Sequence, residues 1–251
     1  MLHAEQKDAV LLLILNRPEK RNCLHPNLIR DLALKLKQTE SDESIRAVVL
    51  TGAGPSFCAG LDLDHLLHLD PEGKIAYLKT ALDLFERIYV LPQPVIAAIN
   101  GPAVAGGFDL AAICDLRLCV PTARFAQAEV LVGLSPMLFP SYEIVGLGRA
   151  KELAFTGDAI SAEEAYRIGL INRIYPAEEL LDQALTLAKK LTARPRQALL
   201  ATKRLSREVI GLDASSAFKV TLATISERIQ SDEHRQEIDK YVAQLRQRAS
   251  K

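Results

Sequence analysis

Continuous apolar runs mark the strands that the first two thirds of the chain predict. Five segments show this pattern: Asp8–Asn16, Arg46–Thr51, residues 94–99, Leu116–Val120 and Ile171–Tyr175. An uninterrupted apolar run is typical of a strand that is buried on both faces, as in a parallel sheet covered by helices.

Segments with apolar residues at helical spacing lie between these strands. They are Asn27–Thr39, Ile75–Val90 and Gly106–Ile113. In the first of them, leucines at positions 28, 32 and 36 form one stripe. Asp62 is placed to cap a short helix that Pro71 ends, and Ser161 opens a capping box for another.

The end of the chain carries helical patterns alone. After residue 176 no strand pattern occurs, and Pro176–Ala193, Arg196–Ile210 and most of Ser215–Arg248 predict helices. Strands alternating with helices, followed by helices only, predict an α/β fold with a helical C-terminal segment. We therefore expect an α/β core at residues 1–190 that carries the functional site, and a helical segment at 191–251.

Two glycine-containing turns follow two of the predicted strands. Residues 54–62 follow the strand Arg46–Thr51, and residues 100–110 follow the strand at 94–99. Glycine lets the backbone approach a ligand closely, so two such turns can direct two N–H groups at one anionic oxygen, as in an oxyanion hole. Either turn alone has an ordinary strand-to-helix connection as its plainer interpretation; the pair favours a site.

Composition excludes several classes of function. The chain has 31 basic and 31 acidic residues among 251, so we expect no nucleic-acid partner. No apolar run reaches the ~20 residues of a membrane span, and the polar first eight residues resemble neither a secretory signal nor a transit peptide. We expect a cytoplasmic protein whose cysteines, at positions 23, 58, 114 and 119, are free thiols.

An ordered series of motifs resembles the crotonase family, also called the enoyl-CoA hydratase/isomerase family. The series starts at residues 15–22, includes both turns and residues 123–129, and continues through 148–173. The resemblance implies a crotonase-like spiral of ββα units and a C-terminal helical segment used for trimerisation. The helical segment carries apolar residues at roughly helical spacing, and we expect a homotrimer or a dimer of trimers. The apolar residues at this helical spacing are Phe218, Leu222, Ile225, Ile229, Ile238, Val242 and Leu245.

The same resemblance assigns four catalytic positions. The backbone N–H groups of Leu61 and Gly106 would form the oxyanion hole for a thioester carbonyl. Glu129 and Asp109 align with the acid/base pair, which is typically two glutamates in hydratases of the family. Asp109 is one methylene shorter, which shortens its reach by about 1.5 Å. For Asp109, a helix-capping or solvated carboxylate is an equally open interpretation.

The resemblance also places the acyl-CoA thioester, and CoA is part of that substrate rather than a cofactor. Lys20 and Arg21 lie where the family has basic residues for the CoA phosphates, with solvated surface charge as the alternative. Ala59 would hold the adenine through its backbone, and Gly60 and Gly107 complete the expected substrate-binding set.

A second departure from the family concerns residues 134–142. Hydratases have a glycine-rich stretch here, whereas this chain has Met137, Leu138 and Phe139. These side chains predict a more apolar wall for the acyl pocket, with repacking of a loop as the alternative.

We therefore expect an enoyl-CoA hydratase, which adds water across the 2,3 double bond through an enolate. An enoyl-CoA isomerase that uses Glu129 alone, or a non-catalytic acyl-CoA-binding protein, stays open as an alternative. His65 and His68 are three residues apart, but no third ligand of fixed geometry is visible in the sequence, so we expect no metal.

Overall fold

The computed structural model describes the backbone of residues 1–249 and the side chains of residues 1–247. It divides into two compact units, Met1–Lys189 and the residues from Lys190 onward. The strands are β1 Leu2–Lys7, β2 Val10–Leu15, β3 Ala47–Gly52, β4 Val95–Ile99, β5 Ala103–Val104, β6 Leu116–Cys119, β7 Arg124–Ala126, β8 Ile160–Ser161 and β9 Arg173–Ile174.

The helices of the first unit surround two sheets. They are α1 Pro26–Ser41, α2 Leu63–Leu67, α3 Pro71–Val90, α4 Gly106–Ala112, α5 Ser141–Val145, α6 Leu147–Thr156, α7 Ala162–Arg167 and α8 Leu180–Thr192, with 3-10 turns at Pro18–Lys20 and Ala128–Val132. Helix α8 extends three residues past Lys189, the last residue of this unit. The predicted α/β class is confirmed for this part of the chain.

The larger sheet has six strands in the order β1-β2-β3-β4-β6-β9. Strands β2, β3, β4, β6 and β9 run parallel, and β1 pairs antiparallel with β2 at the edge. Every residue of β3 and β4 is buried, as their continuous apolar runs predict. All five predicted strands are present. Four are shorter than predicted, and β3 has the predicted length but is shifted by one residue.

Strand β1 was not predicted, because its sequence gives no apolar signal. Its residues are exposed apart from Leu2, which is partly buried. Its stability comes from the antiparallel ladder with β2, a pairing over the whole of both strands. An exposed edge strand of this kind is specified by its partner rather than by its own side chains.

A small second sheet brings together short segments that lie far apart in sequence. It has the order β5-β7-β8, with β5 parallel to β7. The 3-10 turn at Ala128–Val132 directly follows β7 and its next residue, Gln127. Strand β5 is part of the second glycine turn, and Glu129 follows β7 closely in sequence. Pairing of β5 with β7 therefore holds this turn and Glu129 on neighbouring backbone segments.

The predicted caps of α2 and α7 are confirmed. The Asp62 carboxylate accepts a hydrogen bond from the His65 N–H, and the Ser161 hydroxyl accepts one from Glu164 N–H. Helix α3 begins at Pro71 rather than at Ile75, because proline suits the first helical position and Asp70 caps it.

The second unit contains α9 Arg196–Glu208, α10 Ala214–Ile229 and α11 Asp232–Ala249. This confirms the helical C-terminal segment. Several apolar side chains of α10 and α11 are exposed in the single chain: Phe218, Leu222, Ile225, Ile229, Ile238 and Leu245. None of the helices over residues 1–249 is both long and apolar enough to span a membrane.

Candidate active site

The two glycine turns lie in direct contact. Gly60 has a φ of +85°, and a Cβ built on it would lie 3.0 Å from the Gly106 nitrogen. The Val104 N–H donates to the Cys58 carbonyl at 3.0 Å, which holds one turn against the other. A larger residue at position 60 would combine a strained φ with a clash, so glycine is required here.

The backbone around Leu61 is fixed on both sides of its own N–H. Gly60 O accepts a hydrogen bond from Leu24 N–H at 2.7 Å, and Asp62 N–H donates to the Tyr77 hydroxyl at 2.9 Å. Within residues 1–249, neither the Leu61 N–H nor the Gly106 N–H donates a hydrogen bond to the protein. Both residues line one cavity of about 510 Å³, so two free donors are available to a ligand there.

Ala105 orients the second donor through an uncommon backbone conformation. Its φ of +52° and ψ of −128° immediately precede helix α4. Such a conformation costs about 1–3 kcal/mol for a residue other than glycine and persists only when its surroundings enforce it. Its N–H donates to Ala126 O at 2.8 Å, and its carbonyl accepts from Asp109 N–H at 3.1 Å. The first helical N–H, that of Gly106, is left free at the cavity wall.

Asp109 and Glu129 line this cavity too. Asp109 is buried, and burial followed by the negative charge of Glu129 raises the pKa of Asp109 well above its ordinary value. Burial also raises the pKa of Glu129, whose Oε2 has no hydrogen-bond partner among the described residues. Two carboxyl groups in one apolar cavity resist simultaneous ionisation. One proton shared between the two groups avoids placing two negative charges in the cavity.

Gln127 is a polar residue of the site for which the sequence predicted no role. Its side chain is fully buried. Its Nε2 lies 2.7 Å from Met137 O and 3.4 Å from Asp109 Oδ1, so one amide group contacts both the cavity wall and a carboxyl group. The only sequence signal is its place two residues before Glu129.

A buried ion pair supports the first turn and was also not predicted. Arg17 Nη1 lies 2.9 Å from Asp62 Oδ2. Burial opposes ionisation of Asp62, yet the hydrogen bond from Arg17 leaves the pKa of Asp62 below its ordinary value. The Tyr77 hydroxyl, which accepts from Asp62 N–H, donates in turn to Leu24 O. This network holds the backbone on the Asp62 side of Leu61.

The predicted substrate-binding residues fall into three groups. Ala59 lines the cavity. Gly60 and Gly107 lie outside the lining. A Cβ on Gly107 would overlap the Cys58 carbonyl, so packing of the two turns requires glycine there as it does at Gly60. Lys20 and Arg21 are exposed and lie outside the lining. Arg21 is joined to the lining by one hydrogen bond, which the Ala59 N–H donates to Arg21 O at 3.1 Å.

The altered segment 134–142 forms part of the wall. Residues 134 to 137 line the cavity, Met137 among them, whereas Leu138 and Phe139 do not. Phe139 packs edge-on against Tyr89, with ring centroids 5.0 Å apart. The expectation of an apolar wall therefore holds for Met137, and Phe139 stabilises the segment from outside the cavity.

The two histidines of α2 make contacts that do not involve a metal. His65 packs edge-on against the Tyr77 ring at 5.1 Å, and His68 Nδ1 lies 2.6 Å from Asp64 O. Over the described part of the chain, no group of three or more His, Cys, Asp or Glu residues is arranged to hold a metal ion. The four cysteines are buried and unpaired with one another.

A model of the enoyl-CoA hydratase/isomerase family matches residues 5–248, and the chain belongs to this family. It is 34% identical over 227 residues to the short-chain-enoyl-CoA hydratase of Clostridium acetobutylicum, covering 89% of this chain and 85% of that protein. It is 31% identical over 220 residues to the crotonyl-CoA hydratase of Syntrophomonas wolfei subsp. wolfei, covering 86% of this chain and 85% of the relative.

The fold is also similar to solved structures. The crystal structure of enoyl-CoA hydratase from Bacillus anthracis matches with a TM-score of 0.94 at 29% identity, over 97% of this chain and 96% of that one. An enoyl-CoA hydratase from Mycobacterium smegmatis gives a TM-score of 0.92 at 31% identity, with coverages of 97% and 96%. The predicted crotonase-like fold is thereby confirmed.

Proposed function

We propose that this chain is an enoyl-CoA hydratase that adds water across the 2,3 double bond of an enoyl-CoA thioester. The observation that carries the proposal is one cavity lined by two unpaired backbone donors, at Leu61 and Gly106, and by two carboxyl groups, at Asp109 and Glu129. Relatives that cover most of the chain are named as hydratases of this class.

The two donors would bind the thioester oxygen. Addition of hydroxide to carbon 3 places negative charge on that oxygen as an enolate forms, and hydrogen bonds to it strengthen in the transition state. One preorganised donor of this kind contributes about 3 kcal/mol. Because neither N–H group has a hydrogen-bond partner among the residues that the structure describes, no such bond has to break when substrate binds.

The two carboxyl groups would carry one proton between them. In dehydration, ionised Glu129 removes the proton from carbon 2, and protonated Asp109 gives its proton to the departing hydroxyl. Hydration reverses each step: Asp109 takes a proton from water, whose oxygen bonds to carbon 3, and Glu129 gives its proton to carbon 2. The raised pKa of both groups favours retention of this single proton.

The CoA moiety would lie across the segment that includes Lys20, Arg21 and Ala59. Lys20 Nζ already pairs with Asp64 Oδ2 at 2.7 Å, whereas the exposed Arg21 side chain forms no salt bridge with an acidic side chain among the described residues. Arg21 is therefore the better candidate for a CoA phosphate. Water and the thioester supply all reacting atoms, so the reaction needs no further cofactor.

An enoyl-CoA isomerase is the second candidate. The burial of Asp109 and its side chain, one methylene shorter than that of glutamate, favour it. In that reaction Glu129 alone would move a proton between carbons 2 and 4, and no water would be activated.

A homotrimer or a dimer of trimers belongs to the same proposal. The exposed apolar residues of α10 and α11, which include Phe218 and Leu222, support self-association. Sedimentation at micromolar concentration is expected to show the assembly, and a stable monomer would contradict it.

The direct test is incubation of the protein with 2-enoyl-CoA and 3-enoyl-CoA, with products separated by chromatography and identified by retention time and mass. A hydratase adds the mass of one water to the 2-enoyl substrate. An isomerase interconverts the two substrates without a change in mass. If a folded protein binds acyl-CoA and does neither, a non-catalytic acyl-CoA-binding role replaces both candidates.

A further inference from the structure

The cavity is larger than a four-carbon acyl group requires. Its volume is about 510 Å³, whereas four carbon groups of roughly the size of a water molecule fill about 120 Å³ at ~30 Å³ each. Relatives of this chain are named for short-chain and crotonyl substrates. The thioester and the adjoining part of CoA take the space beside Ala59, Leu61 and Gly106. The rest of the cavity is available to an acyl chain longer than four carbons.

One face of helix α3 supplies the first wall of this space. Leu78, Ala81, Leu82 and Phe85 line the cavity at spacings of three and four residues, which place them on one side of the helix. All four side chains are apolar, so this wall offers no hydrogen bond to a substituted acyl group.

A second wall comes from residues 132–137, which join the 3-10 turn after Glu129 to the segment that departs from the family pattern. Val132, Leu134 and Met137 line the cavity, and Ser135 is its only polar side chain from this segment. Apart from Ser135, the polar side chains of the lining are the carboxyl groups of Asp109 and Glu129. A polar substituent on the acyl chain would lose its water here without gaining a matched partner.

Apolar lining residues of both walls are exposed to solvent. Leu82 and Val132, one from each wall, are 50% and 57% exposed although both line the cavity. An acyl chain that extends between them would cover apolar surface that is now in water, with a gain of up to about fourfold in affinity for each methylene buried.

Building on the proposed function, we infer that this site takes thioesters of unsubstituted medium-chain acids in preference to four-carbon acids. The acyl chain lies between the face of α3 at Leu82 and the segment at Val132. These two residues determine chain-length specificity and take no part in the proton transfers.

Affinity for saturated acyl-CoA esters tests this inference without requiring turnover. Calorimetry with butanoyl-, octanoyl- and decanoyl-CoA is expected to show an affinity that rises with the length of the acyl chain. Decanoyl-CoA should bind about 100-fold more tightly than butanoyl-CoA. A series that is flat, or that falls after four carbons, would overturn the inference.

Two variants locate the acyl chain, and a third is their control. Leu82→Trp and Val132→Trp each place a larger ring at the solvent-exposed part of the lining, on a side chain exposed enough to accept it. Each is expected to weaken decanoyl-CoA binding at least tenfold and to leave butanoyl-CoA within twofold. Ile75→Trp changes an exposed α3 residue outside the lining, and it is expected to leave the affinities for all three acyl-CoA esters unchanged. Unchanged decanoyl-CoA binding in both test variants would overturn the assignment of these walls.

The outcomes separate this inference from the proposed function. A rising series in a protein that hydrates no enoyl-CoA supports the chain-length inference and contradicts the hydratase proposal. A flat series in a protein that hydrates crotonyl-CoA contradicts the inference alone.

Discussion

The buried amide of Gln127 contacts the Asp109 carboxyl group, with Nε2 and Oδ1 3.4 Å apart. The same nitrogen is 2.7 Å from the carbonyl oxygen of Met137. Gln127 thus links the proton carrier at Asp109 to the wall of the acyl cavity. A hydrogen bond to a carboxylate favours its ionised form, and the contact from Gln127 lowers the pKa that burial and Glu129 raise.

Gln127→Met is expected to raise the pKa of Asp109 further, because it removes this donor and keeps the size of the side chain. Activity that depends on one proton shared by the two carboxyl groups falls when the pair loses that proton. The alkaline limb of the pH–rate profile should therefore move to higher pH.

Gln93→Met is the matched control for this change. Gln93 is equally buried, and its Nε2 donates to Thr39 O at 2.7 Å, away from the cavity lining. The control is expected to lose comparable stability without a shift in the pH profile. The positioning role of Gln127 fails if both variants leave the profile in place.

Gly106→Pro tests the second backbone donor. Proline removes the N–H, and its Cβ has room, since the nearest atom, Gly60 Cα, would be 3.5 Å away. Turnover is expected to fall about 10²–10³-fold. Gly106→Ala adds the same Cβ and keeps the N–H, so it should lose far less. Because proline also restricts Ala105, thermal unfolding of both variants has to show a folded protein; equal activity of the two would remove the oxyanion assignment.

Gly107→Ala is expected to destabilise the protein rather than to alter substrate contacts. Its new Cβ would overlap the Cys58 carbonyl, and overpacking of this kind costs about 1–3 kcal/mol. Gly148→Ala, in helix α6 with open space around it, should be neutral or slightly stabilising. Urea unfolding of the pair measures the difference, and equal stability would contradict the packing role.

Asp109 is expected to reduce stability at neutral pH. Its pKa is raised in the folded state, so the unfolded chain releases the proton first as pH rises above about 4, and stability falls with increasing pH. Asp109→Asn removes this titration. The free energy of unfolding of the variant minus that of the parent should be more positive at pH 7 than at pH 5. A gain that is the same at both pH values would show that Asp109 ionises normally.

Sequence patterns predicted the parts of the fold that depend on local burial. The runs at β3 and β4 gave two parallel strands, and the glycines after them gave the two turns that meet at Gly60 and Gly106. The caps at Asp62 and Ser161 followed from residue type and spacing. Each of these features is encoded within about ten consecutive residues.

The features that were missed depend on contacts between distant segments. Arg17 pairs with Asp62 across 45 positions, and no local pattern marks an arginine as buried. Gln127 gains its role only when β7 places it beside Asp109 and the 134–142 segment folds back onto it. The two-residue strands β5 and β8 are likewise too short to produce a periodic signal.

The most direct test of the hydratase mechanism compares Glu129→Gln with Asp109→Asn in the hydration of 2-enoyl-CoA. Both substitutions keep side-chain size and remove one acid/base group. Glu129→Gln is expected to abolish turnover, and Asp109→Asn to lower it about 10²–10⁴-fold, with both proteins folded and able to bind saturated acyl-CoA. Full activity of Asp109→Asn beside an inactive Glu129→Gln would contradict the two-carboxyl mechanism and favour the isomerase.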